Sequence, residues 1–171
     1  MGKTVLAALE EAGYTWDSEK SLVRSPHFVS LIVEDTSQVA QLKIGFVNDT
    51  AQHYGGFSPS TFFPKIDSVR NILSNKLGAV FRYSAKDIAD IWVIAQHEPF
   101  VWVDLLIEAR TKDVGIDAVA IAEVLTGVPQ TAFSDILWRS LAPTWPSFIA
   151  DVQQIAHDLL TGEDNSLYRL S

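Results

Sequence analysis

The fold is decided by residues 72–95, which read ILSNKLGAVFRYSAKDIADIWVIA. Apolar residues recur there every three or four positions on both sides of residues 83–84, a spacing typical of amphipathic helices. We therefore predict two helices joined by a short turn at residues 83–84. Lys76 lies on the first predicted helix, and Asp87 and Asp90 lie on the second.

Lys76 falls inside the apolar arc of the first helix, one turn after Ile72 and one turn before Val80. Burying an ammonium group without a partner is costly, so this side chain must reach water along its methylene groups or bind a carboxylate. Asp87 and Asp90 are both placed to supply that carboxylate. The spacing leaves two interpretations open: an ion pair that clamps two packed helices, or part of a functional site.

Length and composition bound the class of protein. The chain has 171 residues, of which 47% are hydrophobic and 20% are charged, and this is typical of a globular domain with its own core. The formal net charge of -8 argues against general nucleic-acid binding, because neutralising phosphates requires a basic surface. The sequence contains 0 cysteines, which excludes disulfides and thiolate metal sites.

The sequence also indicates where the protein resides. No run approaches the roughly 20 apolar residues that a membrane-spanning helix requires. The first residues lack the apolar run and the small-residue cleavage site of a signal peptide. We therefore expect a cytoplasmic protein that does not contact a membrane.

The order of the predicted elements indicates an α+β fold, in which a small antiparallel sheet is followed by an α-helical bundle. Residues 1–64 form the N-terminal α/β part and residues 65–171 the bundle, and we expect one compact unit. A helix is predicted at residues 3–12, and strands at residues 22–24, 27–34 and 39–47. On the last strand Leu42, Ile44 and Phe46 are expected on the buried face.

The bundle is predicted from apolar periodicity and capping residues. Its helices are expected at residues 66–82, 85–96, after Pro99, at 116–125, at 131–141, and from Ser147 to Gly162. Residues 48–64 are expected to form a loop, and residues 163–171 a loosely held tail. The four histidines have no metal-ligand spacing and are interpreted as structural or exposed: His27, His53, His97 and His157.

Several segments occur together in a recognisable order. These are LKIGFV at residues 42–47, IDS at 66–68, ILSNKL at 72–77 and RYSAKDIADIW at 82–92. Together they resemble the second half of the AbiEii-type nucleotidyltransferases, a family related to toxins of abortive-infection toxin–antitoxin systems. The resemblance ends near Asp113. It implies that the small sheet is the remnant of a nucleotidyltransferase fold.

The resemblance also suggests roles for three residues. Lys76 matches the family's lysine, which is implied to contact nucleotide phosphates, and Asp87 or Asp90 matches the acidic motif that follows it. These three are the candidate substrate-binding residues. The resemblance assigns no catalytic residue and no metal ligand in this chain.

Nucleotidyl transfer requires two or three carboxylates that hold Mg²⁺ ions against a triphosphate. The family's Gly-Ser turn and its Asp-x-Asp pair are not in this sequence. Gly45 stands where the family pattern has the third acid. We therefore expect a truncated or degenerate nucleotidyltransferase-like protein that is inactive alone and uses Mg²⁺ and an NTP only if the missing catalytic half is supplied.

Two other functions remain open. One is a non-catalytic interaction protein, forming a homodimer or binding an antitoxin-like protein through an exposed sheet edge. The other is a nucleotide-binding regulator that uses Lys76 with Asp87 and Asp90.

Overall fold

The computed structural model describes residues 2–17, 23–35, 41–48, 50–61, 65–139 and 141–168. The chain divides into two compact units, Met1–Thr50 and Ala51–Ser171. The first combines a helix with a small antiparallel sheet and the second is helical, so the α+β class is confirmed. None of the described helices is both long enough and apolar enough to cross a membrane.

Within the part of the chain that the structure describes, the first unit contains one helix and four strands. In chain order they are α1 (Gly2–Glu11), β1 (Thr15–Trp16), β2 (Val23–Arg24), β3 (Phe28–Glu34) and β4 (Gln41–Val47). Gly13 follows the end of helix α1, and its φ of 85° lies in the left-handed region that stops a helix. Strand β1 was not predicted, because two residues are too few to show an alternation of apolar and polar residues.

Strand β3 is the centre of the sheet. Strand β4 pairs antiparallel with it along its whole length, from Phe28 opposite Val47 to Glu34 opposite Gln41. Strands β1 and β2 pair antiparallel with the C-terminal and N-terminal parts of β3. Because β4 occupies one edge of β3 completely, β1 and β2 share the other edge.

Burial in the sheet is greatest on β3, where Leu31 and Val33 are 4% and 1% exposed. Their partners on β4 are Ile44 and Leu42. Ile44 and Phe46 are half-buried as expected, but Leu42 is 58% exposed. The predicted buried face of β4 is therefore only partly covered, because β4 has a strand neighbour on one side alone among the described residues.

The second unit is built from six helices within the described residues. They are α2 (Val69–Ala79), α3 (Ala85–His97), α4 (Trp102–Lys112), α5 (Ala118–Thr126), α6 (Gln130–Ser134) and α7 (Trp145–Thr161), with a 3₁₀ turn at Val80–Arg82 after α2. Their core is continuous and includes the fully buried side chains of Trp102 and Phe148. The predicted stripe of α7 is buried throughout: Phe148, Val152, Ile155 and Leu159.

The helix predicted at residues 131–141 is wrong in length, since α6 ends at Ser134. Leu137 and Leu141, which lie within the predicted range, are 95% and 97% exposed. The chain turns after α6, and Trp138 packs edge-on against Trp92 with ring centroids 5.8 Å apart. Burial of this aromatic ring replaces the burial that a longer helix would have given.

The start of the last helix also differs from the prediction. Thr144, not Ser147, is the N-cap, because the Thr144 side chain accepts a hydrogen bond from Ser147 N at 3.4 Å. Pro146 then occupies the first turn of α7, where its missing N–H costs nothing.

The C-terminal residues are anchored, contrary to the expectation of a loosely held tail. Asn165 is 8% exposed, and its Nδ2 donates to Ala95 O at 2.6 Å and to Glu98 O at 2.9 Å. These bonds satisfy carbonyl groups at the end of α3 that have no partner within the helix. Ser166 N donates to the buried Asp158 Oδ2 at 3.0 Å. Residues 165 and 166 are thus hydrogen-bonded to the end of α3 and to α7.

Candidate functional site

Lys76 and both predicted aspartates meet where α2 is followed by α3. Tyr83 adopts a left-handed conformation with φ of 55°, which reverses the chain between the two helices. Lys76 lies in the last turn of α2, and Asp87 lies in the first turn of α3. Lys76 Nζ is 2.6 Å from Asp87 Oδ1 and 2.5 Å from Asp90 Oδ2. The predicted turn and the predicted ion pair are both confirmed.

The two carboxylates differ in burial although they bind the same ammonium group. The Asp87 side chain is 5% exposed and the Asp90 side chain is 51% exposed, while Lys76 itself is 23% exposed. Burial acts to lower the pKa of Lys76, but the hydrogen bonds to Asp87 and Asp90 outweigh it, and the pKa is raised. The ammonium group is therefore charged, and two negative charges face its one positive charge.

This geometry decides what the three residues do structurally. The contacts satisfy the buried Asp87 carboxylate and link α2 to α3, as the clamp interpretation expects. Their role as substrate-binding residues stays a prediction.

A second polar cluster joins the loop after residue 50 to the start of α2. His53 Nε2 lies 2.5 Å from Asp67 Oδ1, and Asn71 Nδ2 donates to Asp67 Oδ2 at 2.8 Å. Burial acts to raise the pKa of Asp67, but hydrogen bonds from Asn71, His53 and the Ser68 N–H outweigh it, and the pKa is lowered. His53 thus makes a contact within the fold, in agreement with its interpretation as structural or exposed, and its partner is Asp67. The N-cap of α2 is Ser68, which accepts from Asn71 N at 3.0 Å.

Asn71 extends this cluster to α4. Its Oδ1 accepts hydrogen bonds from Tyr54 N at 3.1 Å and from Lys112 Nζ at 2.7 Å. Lys112 Nζ also donates to Ser74 Oγ at 2.7 Å. Asn71 and Ser74 are 3% and 1% exposed. The sequence carried a signal for them, because polar residues three positions apart interrupt the buried side of α2.

A cavity of about 220 Å³ lies beside α2 and α4. Its wall is mainly apolar and includes Leu73, Ile94 and Phe100. Arg70 also lines it and donates from Nε to Glu108 Oε1 at 2.6 Å. The hydrogen bond to Glu108 is the main cause of the raised pKa of Arg70. The guanidinium is therefore already paired with a buried carboxylate.

Within residues 2–17, 23–35, 41–48, 50–61, 65–139 and 141–168, no group of three or more His, Cys, Asp or Glu side chains is placed to hold a metal ion. Comparison of the chain with protein-family models, with curated proteins and with solved structures gives no match.

Proposed function

We propose that this chain is a nucleotidyltransferase-like protein, similar to the toxin–antitoxin nucleotidyltransferases, that does not carry out Mg²⁺-dependent nucleotidyl transfer by itself. The observation that carries the proposal is the pairing of Lys76 with both Asp87 and Asp90. A lysine that binds triphosphate must present its positive charge to the ligand. Here the ammonium group is bound by two carboxylates, whose summed charge repels a phosphate.

The position of the family's third acid supports the same proposal. Gly45 lies on β4 opposite Ser30. A Cβ atom at Gly45 would lie 3.3 Å from Phe28 Cε2, so an aspartate would require the Phe28 ring to shift. The aromatic ring and the glycine are fitted to each other, which favours a structural role for a position where the family has a metal ligand.

The test is a transfer assay with each labelled NTP, Mg²⁺, and tRNA or protein acceptors. We expect no transfer above background from the wild-type chain, from Lys76→Ala, or from the matched control Lys86→Ala, which alters an exposed lysine of α3. Robust transfer that is lost in Lys76→Ala and kept in Lys86→Ala would overturn the proposal. Calorimetry at millimolar NTP tests the nucleotide-regulator alternative, for which binding must depend on Lys76.

A second candidate function is protein interaction through the sheet. Among the described residues β4 pairs with β3 alone, so its other edge offers unpaired backbone N–H and C=O groups. Such an edge is a template for another strand. Sedimentation over a range of concentrations tests this candidate, and a strict monomer at high concentration would count against self-association.

A further inference from the structure

The backbone hydrogen bonds identify the groups on the free edge of β4. In an antiparallel pair, opposed residues that exchange hydrogen bonds alternate with residues that do not. Asn48 N donates to His27 O at 2.8 Å, directly beyond the paired ends of β4 and β3. By alternation, residues 42, 44 and 46 bond to β3. Residues 41, 43, 45 and 47 therefore point their N–H and C=O groups away from it.

Strand β2 supports this assignment independently. Ser25 N donates to Phe28 O at 2.8 Å, so even-numbered residues of β3 bond toward β2. Odd-numbered residues of β3 are then left to bond β4, as the first observation requires. The four outward residues of β4 are all exposed, Val47 to 68%. The free edge is thus uncovered among the described residues.

We propose that β4 pairs antiparallel with β4 of a second copy of this chain, about a two-fold axis at Ile44. This inference rests on the second candidate function above and names its partner and register. In this register all seven residues of β4 are paired. Gln41 lies opposite Val47 of the second copy, and Lys43 lies opposite Gly45 of the second copy. The outward N–H and C=O groups of the two copies then form hydrogen bonds with each other.

The side chains of β4 fit this register and disfavour the register centred on Lys43. Leu42 lies opposite Phe46 of the second copy, and Ile44 lies opposite Ile44 of the second copy. One face of the joined sheet therefore gains a continuous apolar row that covers the exposed Leu42. Lys43 is the one charged side chain of β4. Centred on Lys43, the pairing would oppose two ammonium groups, which is destabilising. Centred on Ile44, the pairing places Lys43 opposite Gly45 of the second copy, so no two ammonium groups are opposed.

The pairing about a two-fold axis closes as a dimer and does not oppose two lysines. A lysine on an edge strand normally prevents strand addition. In the proposed register it lies opposite Gly45 of the second copy and not opposite another lysine. Once β4 is paired on both sides, the sheet is continuous across the two-fold axis and that edge is consumed.

Single-cysteine cross-linking tests the register, because the natural chain has 0 cysteines. At Ile44 the two copies form a non-hydrogen-bonded pair with Cα atoms about 4.5 Å apart, within the range that a disulfide spans. We expect Ile44→Cys to give a covalent dimer under mild oxidation. The matched control Leu42→Cys places the two sulfur-bearing residues about 13 Å apart and gives none. Equal or stronger cross-linking of Leu42→Cys, the more exposed position, would overturn the register.

Sedimentation of the full chain tests the dimer without cysteine chemistry. Lys43→Pro removes an outward N–H and leaves the bonds to β3, since proline is tolerated on edge strands. We expect self-association at least about tenfold weaker than in the control Lys43→Ala, which keeps the backbone donor. Circular dichroism shows whether both variants are folded. A wild-type monomer at high concentration would overturn the dimer and leave the proposal about transfer untouched; a dimer unaffected by Lys43→Pro would overturn the β4 interface alone.

Discussion

The ion pair of Lys76 offers an internal test of how burial sets the strength of a charge contact. One ammonium group binds two carboxylates at nearly equal distances, 2.6 Å for Asp87 and 2.5 Å for Asp90. Their side-chain exposures are 5% and 51%. Geometry therefore predicts equal contributions, whereas burial predicts that Asp87 contributes more.

The magnitude follows from what each substitution leaves behind. Removing one partner of a buried ion pair costs about 3–5 kcal/mol, because the other charge stays buried and unpaired. Lys76 is 23% exposed and Asp87 lies in the first turn of α3, where the helix dipole stabilises an anion. The cost should therefore lie at or below the lower end of that range. We expect Lys76→Met to lower the free energy of unfolding by about 2–3 kcal/mol. The half-exposed Asp90 should couple to Lys76 by less than about 1 kcal/mol.

Two double-mutant cycles measure these couplings, one with Asp87→Leu and one with Asp90→Leu, each combined with Lys76→Met. Urea unfolding followed by tryptophan fluorescence is a suitable assay, since four of the 5 tryptophans lie in the helical unit. Lys76→Met with Asp87→Leu should be more stable than Lys76→Met alone, because no charge is left buried. A Lys76–Asp90 coupling as large as the Lys76–Asp87 coupling would refute the reasoning from burial.

Three further predictions concern other parts of the helical unit. The lowered pKa of Asp67 means that its carboxylate stabilises the fold above its ordinary pKa of 3.8, and that this contribution is lost as the pH falls through the lowered value. Urea unfolding at about pH 2 to 5 should show this acid loss in the wild type and less of it in Asp67→Asn. Asn165→Ala should lower the free energy of unfolding by about 1–3 kcal/mol, because it leaves two carbonyl groups without their donor; Glu163→Ala, exposed nearby, should change it by less than about 0.5 kcal/mol. Leu137→Ser should be within about 0.5 kcal/mol of wild type by the same measurement, since the side chain is 95% exposed. A loss of 2 kcal/mol or more would indicate that the longer helix forms after all.

The parts of the fold that sequence predicts well are those with a strong local signal. Helix α7 repeats its apolar residues at helical spacing from Phe148 to Leu159, and the whole stripe is buried. The pairing of Lys76 was predictable for a related reason, since a charge inside an apolar arc requires a partner and the next helix supplies carboxylates. Both inferences use residues within one helix or two adjacent helices.

The features that the sequence analysis missed depend on contacts between residues far apart in the sequence. Asn165 donates a hydrogen bond to Ala95 O, 70 residues away. No local sequence pattern predicts that a side chain will bind the carbonyl groups at the end of another helix. His53 and Asp67 are 14 residues apart across a loop without periodicity. The length of α6 was misjudged because the chain turns after Ser134 and packs Trp138 on Trp92, another contact between residues far apart in the sequence.

The position of Lys76 also constrains any function that uses it. Nucleotide binding through this ammonium group would have to break its contacts with Asp87 and Asp90, and Asp87 would then stay buried beside a new anion. The phosphate would add negative charge where two carboxylates already outnumber one lysine, so the ligand would have to supply the free energy lost from the junction of α2 and α3. Binding and stability therefore compete for the same side chain. This competition is the physical reason to regard the family-like lysine as a clamp here, and it makes the free edge of β4 the better place to look for a partner.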